Sequence, residues 1–165
     1  MSEIPIEELQ PAPDFILPAI GSDAIVKKGQ VQLSALRGHT VVLYFYPKDD
    51  TPGCTVEACS FRDANHEMQK RGTVVLGVSP DSVDSHKKFV EKYSLSFPLL
   101  SDTDKSVAKL YGAFGEKSMY GKKYMGILRS TFLIDKEGIV RKVWSKVKTD
   151  GHASEVLATI EALHL

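Results

Sequence analysis

The segment TVVLYFYPKDDTPGCTVEAC, residues 40–59, sets the fold and holds both cysteines of the 165-residue chain. Its first part is an almost unbroken run of Val, Leu, Tyr and Phe ending at Pro47, which reads as a strand buried on both faces. A second such run, TVVLGVS, occupies residues 73–79. Between them Cys54, Ala58, Phe61, Ala64 and Met68 step by four, three, three and four, the stripe of one helix face, which ends near Gly72. Strand, helix and strand in that order predict a right-handed crossover joining a parallel pair.

Outward from this unit, FPLL (97–100) and STFLID (130–135) supply further strands. SVDSHKKFVEKYS (82–94) reads as a helix with Val83, Phe89 and Val90 inward and its lysines toward water. SDTDKSVAKLYG (101–112) reads as a short helix opened by capping Ser and Asp residues and closed by Gly112. The Gly- and Lys-rich stretch AFGEKSMYGKKYMGI (113–127) reads as irregular. STFLIDKEGIVRKVWSKV should fold as a hairpin about Lys136-Glu137-Gly138, and a last helix should start near His152 with Val156, Ile160 and Leu163 inward. Short strands at 15–17 and 31–33, joined by a turn, form an expected N-terminal hairpin extension. The fold class is α/β: one domain over residues 1–165, a central mixed sheet flanked by helices on both faces.

Lys plus Arg and Asp plus Glu are 21 each, so no electrostatic footprint for nucleic acid or an anionic membrane is expected. No run of about eighteen apolar residues predicts a membrane span, and the first thirty residues do not read as a signal peptide. A cytoplasmic protein is expected. In a reducing compartment a close pair of thiols is catalytic or metal-binding more often than structural. The histidines at 39, 66, 86, 152 and 164 lack zinc-site spacing, so no metal is expected.

The chemistry centres on the loop after the first buried strand, at a carboxyl strand end where α/β sheets build sites. Thr51 reads as a helix N-cap with Pro52 first, which makes Cys54 the third helical residue. Unpaired amides and the positive end of the helix dipole there favour a thiolate. An ordinary thiol near pKa 8.5 is about 3% ionised at pH 7, so full ionisation accelerates attack at most roughly thirtyfold. A fast reaction therefore needs donors aimed at a departing oxygen: the Thr51 hydroxyl, the Gly53 and Cys54 amides and one arginine. Gly53 allows close approach to the backbone. Pro47 and Pro52 stiffen the loop, and Tyr46 at the strand end is expected to line the pocket. Cysteines five apart on a straight helix stand roughly 8–9 Å apart at Cα, whereas a disulfide needs less than about 7 Å. Cys54 and Cys59 can bond only if the helix start unwinds.

The sequence PKDDTPGC at 47–54 resembles the Pro-x-x-x-Thr-x-x-Cys signature of the peroxiredoxins. CTVEACSFRD, with its cysteines five apart, and GEKSMYGKKYMGILRSTFLID are similar to the bacterioferritin comigratory protein, or Q-type, branch. The resemblance implies a thioredoxin-like fold and reduction of hydrogen peroxide and organic hydroperoxides without metal or organic cofactor. It makes Cys54 the peroxidatic and Cys59 the resolving cysteine, joined as an intramolecular disulfide that thioredoxin or a similar dithiol reduces. It also carries Pro47, Thr51 and Arg129 into the site, with Glu57 orienting the arginine, and it suggests a monomer. The rivals are a thiol-disulfide exchange protein, for which Cys-x-x-Cys spacing would be expected, and a redox-regulated chaperone-like module.

Overall fold

A computed structural model describes residues 8–165. The absence of a signal peptide was read partly from residues 1–7, which lie outside the described residues.

The elements run β1 (Ile16–Ile20), β2 (Gln30–Gln32), a 3-10 turn (Leu33–Leu36), β3 (Thr40–Phe45), α1 (Pro52–Lys70), β4 (Thr73–Ser79), α2 (Val83–Tyr93), β5 (Leu99–Ser101), α3 (Ser106–Leu110), β6 (Phe114–Met119), β7 (Lys122–Ile127), β8 (Ser130–Ile134), β9 (Val140–Ser145) and α4 (His152–Ala162). Seven strands form one mixed sheet in the order β2-β1-β5-β4-β3-β8-β9. β3 and β4 pair in parallel from Thr40 opposite Thr73 to Phe45 opposite Val78. β8 lies antiparallel on the other side of β3.

Every residue of β3 is buried, and its side chains alternate between two cores. Val41, Leu43 and Phe45 join Val107 and Ala108 of α3 and Phe132 on one face. Val42 and Tyr44 join Phe61 and Met68 of α1, Phe89 of α2 and Val156 and Ile160 of α4 on the other. With helices on both faces, the runs at 40–47 and 73–79 had to be apolar on both sides, which is why they read so clearly.

The expected N-terminal hairpin is present, β1 and β2 pairing with Leu17 opposite Val31. The hairpin at 136–138 is present too, its turn held by the Asp135 carboxylate, which accepts from the amides of Glu137 (2.9 Å) and Ile139 (3.0 Å). α3 is capped from a distance: the Asp102 carboxylate accepts from the amides of Val107 and Ala108.

The stretch 113–127 is a correction. It is a regular antiparallel hairpin, β6 on β7, outside the main sheet. Tyr120 and Gly121 both take positive φ (52° and 78°), the left-handed pair that a two-residue turn needs. Most of its side chains face water, so no apolar alternation marked the strands. On α2 the fully buried inward residues are Phe89 and His86, while Val83 is only half-buried.

Candidate active site

The loop 46–51 leaves the carboxyl end of β3 and enters α1 at Pro52. Thr51 holds the N-cap position with extended backbone, but its side chain does not cap the helix. Its hydroxyl donates instead to the Lys48 carbonyl at 2.9 Å, closing the loop on itself. Cys54 is the third residue of α1, as expected, with its side chain buried against the sheet. Pro47 is half-buried in the same loop.

Arg129, on the link between β7 and β8, joins the two acidic centres of the site. Its Nη2 donates to Cys54 Sγ at 3.3 Å and its Nη1 to Glu57 Oε1 at 2.7 Å. One planar guanidinium thus fixes the sulfur and the carboxylate together. Glu57 is 1% exposed, and its Oε2 has no partner. Burial raises its pKa to about 7, against the pull of Arg129. Burial works against the charge of Arg129, but Glu57 and Cys54 outweigh it and hold its pKa above the ordinary value.

Gly53 serves the arginine. A methyl group there would stand 3.3 Å from Arg129 Nη2, so the bare glycine lets the guanidinium lie close to the helix start without being pushed aside by a few tenths of an ångström. Tyr46 is buried with its hydroxyl donating to Asp49 Oδ1 at 2.6 Å, so its polar end serves the loop. Cys59, half-buried on the same helix, is a free thiol like Cys54. Arg62 and Asp63 pair at 3.0 Å on the surface of α1.

Three neighbours were not singled out from the sequence. Tyr44, stacked on Phe61 at 4.7 Å between centroids, carries a buried hydroxyl with no partner. Burial pushes its pKa well up, and the charges of Glu57 and Cys54 add to this. The phenol has room because β4 offers Gly77, where a methyl would meet the Tyr44 hydroxyl at 3.0 Å and Leu99 Cδ2 at 2.9 Å. Lys117 of β6 lies near enough to feel both charges of the site: burial and then Arg129 lower its pKa, with Cys54 opposing. Asp49, the third, ties the loop to α2.

A family model described as AhpC/TSA matches residues 9–143. The chain is 47% identical over 156 residues to Peroxiredoxin Bcp of Bacillus subtilis, covering 94% of this chain and 96% of the relative. This chain belongs to the Bcp/PrxQ peroxiredoxins of the AhpC/TSA family. Peroxiredoxin Bcp of Escherichia coli K12 is 45% identical over 146 residues, 88% of this chain and 90% of that one. The structure of Xanthomonas campestris peroxiredoxin Q superposes with a TM-score of 0.81 at 45% identity, covering 90% of each chain. A structure of Xanthomonas campestris bacterioferritin comigratory protein, at 44% identity and the same TM-score and coverage, is described in terms of that protein's alkyl peroxide reduction activity. The fold is thioredoxin-like, and this peroxiredoxin is a peroxidase. Among the described residues no helix is long and apolar enough to cross a membrane, and no three His, Cys, Asp or Glu side chains cluster as a metal site.

Proposed function

We propose that this peroxiredoxin reduces hydrogen peroxide and organic hydroperoxides through Cys54, with Cys59 resolving the product and thioredoxin or a similar dithiol recycling it. The Cys54 thiolate attacks the terminal peroxide oxygen. An S–O bond forms, the O–O bond breaks, sulfur is oxidised by two electrons to a sulfenic acid, and the alkoxide or hydroxide leaves and takes a proton. The Arg129–Sγ contact is the single observation that carries this reading. A cation within hydrogen-bond reach of the sulfur stabilises the nucleophile and then the charge developing on the departing oxygen.

The other groups fit the same path. Thr51 spends its one hydroxyl proton on the Lys48 carbonyl, which leaves only lone pairs to accept the O–H of a hydroperoxide. Residues 53 and 54 are in the first helical turn, where amides lack intrahelical acceptors and can donate to an incoming oxygen. The Cys59 thiol then condenses with the sulfenic acid, forming the S–S bond and releasing water. Both cysteines sit in an intact α1, so this step needs the first turns of the helix to open. Resolution also guards Cys54 against over-oxidation to sulfinic acid. We read the protein as a cytoplasmic monomer, a setting in which two free thiols persist.

Peroxide consumption by reduced protein tests the reading. Cys54→Ser should consume none at stoichiometric amounts, and Cys59→Ser should complete one reduction but stall with thioredoxin as sole reductant. Equal consumption by wild type and Cys54→Ser would remove the assignment, and normal turnover of Cys59→Ser would remove the resolving role.

A further inference from the structure

The loop that carries Pro47 and Thr51 is held by a buried polar cluster that the peroxide chemistry leaves unused. Asp49 is 8% exposed and His86 is fully buried. The Asp49 carboxylate takes the Tyr46 hydroxyl on Oδ1 at 2.6 Å and the Ser85 hydroxyl on Oδ2 at 2.8 Å, and His86 Nδ1 stands 2.7 Å from Oδ2. The backbone amide of Asp49 donates to Asp81 Oδ2 at 2.7 Å, and Asp81 is itself held by the Ser79 hydroxyl at 2.8 Å. On its far side, His86 Nε2 lies 2.9 Å from the carbonyl oxygen of Leu100 in β5.

A carbonyl only accepts, so His86 Nε2 carries a hydrogen toward Leu100. Nδ1 closes on Asp49 Oδ2, so the ring is held at both nitrogens, and inside the core each buried group has the other as its partner in place of water.

We propose that His86, paired with Asp49, is a positioning residue for the reaction of Cys54: it pins the loop 47–51 to α2 and β5 and so sets where Thr51 stands. The proposal rests on Cys54 being the reacting thiol. The groups facing the pair are Tyr46 just after β3, Ser79 at the end of β4 and Asp81 beyond it, Ser85 from α2 and the Leu100 carbonyl from β5. Removing the ring removes the one contact that ties the Asp49 carboxyl through α2 to β5, and with it that hold on the loop. Asp50, the next residue, is bound from outside to Lys92 (2.7 Å) and to the Tyr93 hydroxyl (2.9 Å), so α2 grips the loop by two consecutive side chains.

The test measures the second-order rate of Cys54 oxidation by hydrogen peroxide, with rapid quenching, alkylation and mass spectrometry, in the full-length reduced protein. His86→Phe should slow it at least tenfold, and His86→Gln, which restores a donor, should recover the rate to within about threefold of wild type. Nitrogen-15 NMR of the wild type should find the His86 Nε2–H slow to exchange, locked on the Leu100 carbonyl. If His86→Phe does not fold, Asp49→Asn carries the test: it keeps the size, should slow oxidation, and should speed exchange of the Nε2–H. Wild-type rates in the variant measured, or an Nε2–H that exchanges freely in the wild type, would overturn the proposal. Failure of wild-type Cys54 to oxidise at all would instead strike the function proposed above, so the two failures are distinguishable.

Discussion

Replacing Glu57 by Gln should change how stability depends on pH, in a direction the structure dictates. In the unfolded chain Glu57 ionises near 4.5, whereas burial raises its folded value to about 7. Between those values the unfolded chain has released the proton and the folded protein keeps it. The folded state therefore binds more protons, and stability falls as pH rises from about 4.5 to about 7, then stays level. The gap corresponds to about 3 kcal/mol, at about 1.4 kcal/mol for each tenfold change. Glu57→Gln has no proton to lose and should lack this slope. Urea unfolding of both reduced proteins from pH 5 to pH 8 isolates the effect, because every other titrating group is common to the two. The advantage of wild type over variant should shrink across that range by an amount on the order of 2–3 kcal/mol. Curves that stay parallel within about 0.5 kcal/mol would refute the argument that burial outweighs Arg129 at this carboxyl.

Oxidation to the Cys54–Cys59 disulfide should remove about two turns of helix by far-ultraviolet circular dichroism, roughly the residues from the start of α1 to Cys59, and an unchanged spectrum would contradict the unwinding step. Gly53→Ala should separate stability from rate: alanine favours a helix by about 0.5–1 kcal/mol, yet its methyl would crowd Arg129 at 3.3 Å, so urea stability should hold or rise while peroxide reduction slows several-fold. An unchanged rate would mean the guanidinium yields freely. Tyr44→Phe deletes a buried hydroxyl that has no partner, and urea unfolding should show neutral or increased stability, by up to about 1 kcal/mol; a loss greater than that would reveal a partner for the phenol.

The sequence was most legible where burial is two-sided. β3 and β4 are apolar on both faces because helices cover both, whereas the helix between them shows a stripe because it buries one face alone. The β6–β7 hairpin was not legible, since most of its side chains are wet and only the geometry of Tyr120-Gly121 marks the turn. Site residues followed a similar division. Cys54 and Thr51 are fixed by local helix-start chemistry, and Arg129 came only through resemblance. Glu57 had a local signal, an acid three residues beyond Cys54 on a stripe that continues through Ala58 and Phe61. His86 had one as well, a polar residue three positions before Phe89 on the inward face of α2. The partners of these residues were not legible, because Asp49 and His86 lie 37 positions apart and Arg129 and Cys54 lie 75 apart.

Gly77 gives the site a dependence that crosses strands. The space beside the phenol of Tyr44 exists only because the neighbouring strand omits a methyl group, and that phenol lies within electrostatic reach of Cys54. Enlarging position 77 therefore presses on Tyr44, part of the same core that buries Cys54, without touching any residue that handles peroxide. Trimming Tyr44 alone would leave the nearer Leu99 methyl in the way, so positions 44, 77 and 99 move in lock-step in any redesign of this protein.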